Sequence, residues 1–255
     1  MIVLPSNKIP LLPGERIDRL GYHGLQIIQN PEKFKFTIDA FLLTAFVNPA
    51  SKDRLIDLGA GGGVLSLLIA GAKRVGSVYG LEIQPELAEM ARRSVVLNGL
   101  EAKVEILNGD LKNLPPELKP NSFDYVISNP PFYPIGKGVI SGNQALAMAK
   151  FEIGCKLEEV IIAAKRLIKG NGRFALIYPS ERLAELLLTL DRHKLTPKRI
   201  CIVYPKPGAK SNLVLLESRP GVGPEVEIPP PIIVSDQNGE YSEQMNRIFQ
   251  GEKIF

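Results

Sequence analysis

From Arg54 onward, short apolar runs suited to buried strands alternate with longer amphipathic stretches suited to helices. Arg54 to Leu58 reads as a first strand, followed by a glycine turn and a helix over Val64 to Ala72. Ser77 to Ile83 is the second strand, and Pro85 opens a helix that Asn98-Gly99 can end. Val104 to Leu107 and Phe123 to Ser128 are the third and fourth strands. Glu152 to Lys169 has helical periodicity with Gly170-Asn171-Gly172 as a stop, Arg173 to Tyr178 is the fifth strand, and Ser180 to Arg192 another helix. Arg199 to Tyr204 and Asn212 to Glu217 close the series, joined by Pro205-Lys206-Pro207-Gly208, a connection short enough for an antiparallel pair. The pattern predicts an α/β fold: a doubly wound, mostly parallel sheet of seven strands that ends in an antiparallel C-terminal strand pair.

The flanks differ. Residues 1–50 hold Pro5, Pro10, Pro13, Gly14, Gly21, Gly24 and Pro31, so they read as an extended or hairpin-like lead-in, with Leu25 to Gln29 as a short strand. Thr37 can cap a helix through Val47 that Asn48-Pro49 ends. Residues 51–220 form the main domain, and 221–255 a proline-rich tail that packs on it. Tyr133 to about Lys150, with Gly136, Gly138 and Gly142, reads as a long loop leaving the fourth strand, and loops of that length inside a domain are usually functional or disordered.

Composition narrows the class. The 255 residues are 45% hydrophobic and 23% charged, as in ordinary globular proteins. No stretch approaches the roughly 18 to 20 uninterrupted apolar residues of a membrane span, and Met1 to Pro13 lacks a signal-peptide pattern, so a cytoplasmic protein without a membrane partner is expected. A monomer is expected as well. Cys155 and Cys201 read as core residues, and neither they nor His23 and His193 have metal-ligand spacing, so no metal is expected. The formal charge of +4 favours anionic partners only weakly.

Two motifs carry chemistry. Asp57-Leu58-Gly59-Ala60-Gly61-Gly62-Gly63 follows a strand and opens a helix, so its glycines can turn tightly and let backbone approach a nucleoside-like cofactor. A dinucleotide fingerprint needs Gly or Ala where Val64 stands, which counts against NAD. Asp57 can hold the turn or face a cationic ligand end, and Glu82, beside Ile83 at the second strand tip, can accept both ribose hydroxyls. The second motif is Asn129-Pro130-Pro131-Phe132 at the end of the fourth strand. The Asn129 side-chain oxygen and the Pro130 carbonyl can accept the two N–H bonds of a planar exocyclic amine, while Phe132, or Tyr133, stacks on the ring. Asn and Pro are also common strand terminators, and only the pairing with the glycine turn lifts the motif above that reading. Together the motifs point to methyl transfer from S-adenosylmethionine to an amino nitrogen. Ser66, on a helix, does not make a hydrolase nucleophile elbow.

From about Thr37 to Glu217 the chain resembles the Rossmann-like class I methyltransferases. It is similar, over nearly its whole length, to the bacterial adenine-N6 methyltransferases of valine tRNA, through Phe36-Thr37-Ile38-Asp39-Ala40-Phe41-Leu42-Leu43, Asp57-Leu58-Gly59, Gly80-Leu81-Glu82-Ile83-Gln84, Asn129-Pro130-Pro131-Phe132, Glu152, Gly172-Arg173-Phe174-Ala175-Leu176, Asn212-Leu213-Val214-Leu215 and Pro229-Pro230-Pro231-Ile232-Ile233-Val234. The resemblance implies S-adenosylmethionine as cofactor, tRNA as partner and N6-methyladenosine immediately 3′ of the anticodon as product. It also implies that Asp110 and the Leu111 backbone N–H read the adenine edge of the cofactor, and that Phe36 and Asp39 lie over its pocket. The family usually has Tyr where this chain has Phe132, which preserves stacking and removes a hydroxyl.

Lys137, Lys150, Arg192, Lys194, Lys198, Arg199, Lys206 and Lys210 are available for RNA phosphates, and a subset is expected on one basic face beside Asn129. Three rival functions remain at this level. Protein glutamine-N5 methylation uses a similar clamp, but such enzymes resemble one another in a helical N-terminal domain for which the lead-in is too short. Guanine-N2 methylation of ribosomal RNA tends to come with a second, degenerate domain. An inactive nucleotide- or RNA-binding scaffold would not need Asp57, Glu82, Asp110 and Asn129 intact.

Overall fold

A computed structural model describes residues 9–21, 23–31, 37–72, 75–131, 155–252 and 254. Strand β1 (Arg16–Arg19) pairs antiparallel with β2 (Gln26–Gln29) in a hairpin of its own, and α1 (Asp39–Phe46) follows. The main unit then runs β3 (Arg54–Leu58), α2 (Val64–Ala72), β4 (Ser77–Glu82), α3 (Pro85–Leu97), β5 (Val104–Asn108), β6 (Phe123–Ser128), α4 (Leu157–Leu167), β7 (Ile168–Pro179), α5 (Leu183–Arg192), β8 (Leu195–Tyr204) and β9 (Leu213–Pro220). A two-residue strand β10 (Ile232–Ile233) and a helix α6 (Glu243–Phe249) complete it.

The sheet order is β10-β8-β9-β7-β6-β3-β4-β5, with β9 antiparallel to both neighbours and every other pairing parallel. The expected architecture is present, with eight strands instead of seven. The eighth comes from the proline-rich tail, where Ile232 and Ile233 pair with Val203 and Tyr204.

Both faces of the sheet are covered, which is why its central strands read as unbroken apolar runs. Leu55, Tyr125, Ile127, Ala175 and Ile177 pack with α1, α2 and the buried Met245 and Ile248 of α6. Ile56, Val126, Phe174, Leu176 and Tyr178 pack with α4 and α5 on the other face. The Phe249 ring meets Phe41 edge-on at 5.2 Å, joining α6 to α1.

The N-terminal hairpin is tied to α3 by side chains on one helical face. Ser94 Oγ accepts the Ile28 N–H at 3.0 Å, Asn98 Oδ1 accepts the Gln26 N–H at 2.9 Å, and Arg93 makes a two-pronged pair with Glu15 at 2.6 Å. Ser94 and Asn98 are four positions apart, the spacing that places side chains on one helix face, and Arg93 borders them.

Several local expectations change. Thr37 does not cap α1: its hydroxyl donates to Asp39 Oδ2 at 2.7 Å, and Ile38 occupies the cap position. Gly170-Asn171-Gly172 does not stop the chain before a new strand, because β7 begins at Ile168 and runs through it. A Cβ on Gly172 would lie 2.6 Å from Ile168 Cγ1 and 3.0 Å from the Asp124 carbonyl, so this glycine serves close strand approach at the irregularity between β6 and β7. The Glu152 start proposed for α4 lies outside the described residues. Among those residues no helix is long and apolar enough to cross a membrane.

Candidate active site

The carboxyl ends of β3, β4, β5 and β6 surround an open cleft, a concave site of the kind in which small molecules bind. It sits where the chain order reverses, with β4 and β5 on one side of β3 and β6 on the other, the place where open α/β sheets bind ligands. Every strand tip contributes: Gly59 and Gly61 after β3, Glu82 and Ile83 from β4, Asp110 and Leu111 after β5, and Asn129, Pro130 and Pro131 after β6.

The glycine turn needs its glycines. Gly59, Gly61 and Gly63 have φ of 77°, 56° and 83°, in the left-handed region. The N–H groups of Gly59 and Ala60 donate to the Leu81 carbonyl at 2.9 and 3.0 Å, which fastens the turn to β4. Ala60 is therefore buried behind the cleft and does not line it. At Gly59 the space a Cβ would take is open, leaving the backbone accessible to a ligand.

Glu82 gathers the backbone at the β4 tip. Its Oε2 accepts the Gly61 N–H at 2.8 Å and its Oε1 the Gln84 N–H at 2.8 Å. Burial raises its carboxyl above the ordinary value even though these bonds pull the other way. A carboxylate has about four acceptor sites, and these two N–H groups take one on each oxygen. Asn108, which the sequence reading passed over, locks this tip: its Nδ2 donates to the carbonyls of Glu82 at 2.8 Å and Ile83 at 3.1 Å. Asp110 Oδ1 accepts the Lys112 N–H at 2.8 Å, and its Oδ2 lies 3.9 Å from the Lys112 ammonium.

Asp57 is only 1% exposed and does not line the cleft. It accepts a hydrogen bond from Ser66 Oγ at 2.9 Å, so of the two roles open to it the geometry matches holding the turn to α2. Burial, helped by the Glu82 charge, pushes its carboxyl from 3.8 up to about 7. Asp57 therefore binds its proton more tightly folded than unfolded, and ionising it costs stability as pH rises from about 4 toward 7, by about 1.4 kcal/mol per unit. Asp57→Asn is expected to flatten that part of the stability profile, read from denaturant midpoints at pH 5 and pH 8; an unchanged profile would show that Asp57 is ionised across the range.

At the chemistry end, Ser128 Oγ donates to the Leu58 carbonyl at 2.8 Å, fixing the tip of β6 to that of β3 one residue before Asn129. Phe132, Tyr133, Lys137, Lys150 and Phe36 lie outside the described residues. Asp39, at the start of α1, does not line the cleft; burial raises its carboxyl, and the Thr37 hydroxyl opposes the shift. Among the described residues no group of His, Cys, Asp and Glu could hold a metal.

Residues 49–203, which carry all four of these tips, match the family model described as a methyltransferase domain. The chain belongs to that family. Among curated relatives, a protein of Porphyromonas gingivalis named tRNA1(Val) (adenine(37)-N6)-methyltransferase is 29% identical over 80% of this chain and 81% of its own length. One of the same name from Aeromonas salmonicida is 26% identical over 71% of this chain and 75% of its own. Among solved structures, a predicted O-methyltransferase from Agrobacterium tumefaciens superposes with a TM-score of 0.67 at 22% identity, covering 85% of this chain and 98% of that one, a likeness of fold.

One expectation about this methyltransferase needs correcting. Cys155 is not a core residue: it is partly exposed and lines the cleft beside Val160, because α4 begins only at Leu157, whereas Cys201 is buried. Of the basic residues expected to supply a subset for one face beside Asn129, Lys137 and Lys150 lie outside the described residues and the others divide between the two ends of β8. Lys194 and Lys198 lie at the start of β8 and Lys206 and Lys210 beyond its end, roughly 30 Å apart along an extended strand of that length. Arg199 points inward, its guanidinium 4.1 Å from the Phe46 ring and 3.6 Å from Glu217. Arg192 and Lys198 pair with Glu158 and Glu225 at 3.6 and 3.3 Å.

Proposed function

We propose that this methyltransferase moves the methyl group of S-adenosylmethionine to the exocyclic N6 of an adenine in tRNA, with adenosine 37 of a valine tRNA as its target. The observation that carries the reading is the opening of Asn129-Pro130-Pro131 onto the same cleft as Gly59, Glu82 and Asp110. The names of the curated relatives support the substrate.

The residues fit the cofactor. The open backbone at Gly59 admits its methionine portion, Glu82 takes the ribose hydroxyls, and Asp110 with Leu111 takes the adenine edge. S-Adenosylmethionine supplies an electrophilic methyl group on a sulfonium. The protein supplies position and field. An adenine amine is a weak nucleophile because its lone pair is delocalised into the ring. The Asn129 side-chain oxygen and the Pro130 carbonyl accept its two N–H bonds, draw the nitrogen toward pyramidal geometry and aim its lone pair into the cleft. Phe132, or Tyr133 in its place, is the aromatic to stack on the base, which must first be turned out of its neighbours at a cost of roughly a few kcal/mol.

Glu82→Gln is expected to weaken S-adenosylmethionine binding about 30-fold, a loss of about 2 kcal/mol, because the amide NH2 must face one of two backbone N–H donors. Calorimetric titration checks this, and wild-type affinity would remove Glu82 from the ribose site. The function itself is tested by methyl transfer to a valine tRNA transcript and to one carrying guanosine in place of adenosine 37. Transfer to the first alone supports the target; equal transfer to both overturns it.

A further inference from the structure

We propose that the β8–β9 hairpin is a docking arm for phosphates of the RNA that flanks the target base. The inference rests on the RNA-methylating reading and adds to it the surface that holds the substrate.

Ser128, the last residue of β6, is level with Leu176 of β7, Leu216 of β9 and Ile200 of β8. Strand β8 continues past that level through Cys201, Ile202, Val203 and Tyr204, about 13 Å further along the strand direction, before the chain turns. The hairpin thus projects beyond the edge of the sheet onto which the cleft opens. It stands three strand spacings from β6, about 14 Å to the side.

The arm is braced. Val203 pairs with Leu213, the Asn212 N–H returns to the Val203 carbonyl at 3.2 Å, and Ala209 N–H closes the turn on the Lys206 carbonyl at 3.2 Å. On its outer side β10 pairs with Val203 and Tyr204, and the N–H groups of Val234 and Ser235 donate to Tyr204 and Pro205 at 2.8 and 3.0 Å. The C-terminal segment therefore supports the part of β8 that overhangs. Asp236, the nearest carboxylate in sequence on that segment, accepts the N–H groups of Asn238 and Glu240 in its own turn.

The turn carries Lys206 and Lys210, both exposed. Neither side chain has a hydrogen bond or ion pair among the described residues, in contrast to Arg192, Lys198 and Arg199. Two unpaired cations on a rigid projection suit a polyanion. The opening they overlook is lined by Glu82 and Asp110 and would itself repel phosphate. With one phosphate per about 3.4 Å of strand along a nucleic-acid helix, 14 Å corresponds to about four nucleotides, so the arm meets the flanking stem and not the target base.

The test is the double variant Lys206→Ala/Lys210→Ala, with tRNA binding followed by fluorescence anisotropy across salt concentrations and methyl transfer measured in parallel. The expected result is a tRNA affinity weaker by about tenfold at low salt and a slope of log affinity against log salt shallower by about 1.8, for two lost phosphate contacts on a duplex stem. Cofactor affinity, the melting temperature and kcat at saturating tRNA stay at wild-type values. A short oligonucleotide with the target adenine but no stem should bind wild type and variant alike. Unchanged tRNA affinity and salt slope overturn the arm, as does a fall in kcat with affinity intact. Wild-type protein that binds tRNA through these lysines but methylates no adenine would instead overturn the proposed function and leave the arm standing.

Discussion

Asn129→Ala is expected to lower methyl-transfer turnover by about 100- to 1,000-fold while S-adenosylmethionine affinity stays within about threefold of wild type. The split follows from what the side chain acts on. Asn129 lines the cleft at the tip of β6, which the Ser128 hydroxyl fastens to β3, and in the proposed mechanism its amide accepts from the attacking nitrogen as charge develops there. An acceptor that strengthens only as that nitrogen pyramidalises affects kcat more than binding. Single-turnover kinetics with labelled cofactor, beside calorimetry, measures both quantities. Equal losses in the two would make Asn129 chiefly a cofactor ligand.

Gly63→Val should cost about 3 kcal/mol of stability and lower the melting temperature by about 6 to 12 °C. Two penalties coincide at this residue. Its φ of 83° is left-handed, and an added Cβ would sit 2.9 Å from the Ala91 Cβ, where the start of α2 meets α3. Gly59→Ala separates the two effects, since its φ of 77° is similarly strained but its Cβ would meet nothing within 4 Å. The alanine should cost only the backbone strain, about 1 to 2 kcal/mol. Denaturant unfolding of both variants gives the comparison, and equal losses would mean that the α2–α3 contact yields freely.

The sequence shows most plainly those parts of the fold whose signal is local. Arg54–Leu58, Val64–Ala72 and Phe123–Ser128 match their expected bounds, because strands covered on both faces need continuous apolar runs and Pro, Gly and Asn punctuate the ends. The tail was harder to read. Pro229-Pro230-Pro231 directly before Ile232 hides a strand of two residues, and α6 is short, although Ser242 caps it by accepting the Met245 N–H at 3.1 Å. Gly170-Asn171-Gly172 reads as a helix stop, yet its use depends on how closely β6 approaches β7, which no single segment encodes.

The site divides in the same way. Glycine spacing and residue type at four strand tips bring Gly59, Glu82, Asp110 and Asn129 to one cleft. Asn108 and Ser128 act by hydrogen-bonding to carbonyls of another strand, so their value appears only once register is known. The basic residues show the converse. Their charge is plain in the sequence, while pairing and position along β8 decide which remain available, and Lys206 and Lys210 separate from Arg192, Lys198 and Arg199 only in three dimensions.

The central claim, that this cleft methylates the exocyclic amine of an adenine in tRNA, is tested most directly by incubating the protein with labelled S-adenosylmethionine and unmodified total tRNA, then identifying the labelled nucleoside after digestion. The account predicts N6-methyladenosine confined to a valine tRNA. Label in N2-methylguanosine, or label that appears only when protein is the acceptor, would contradict it.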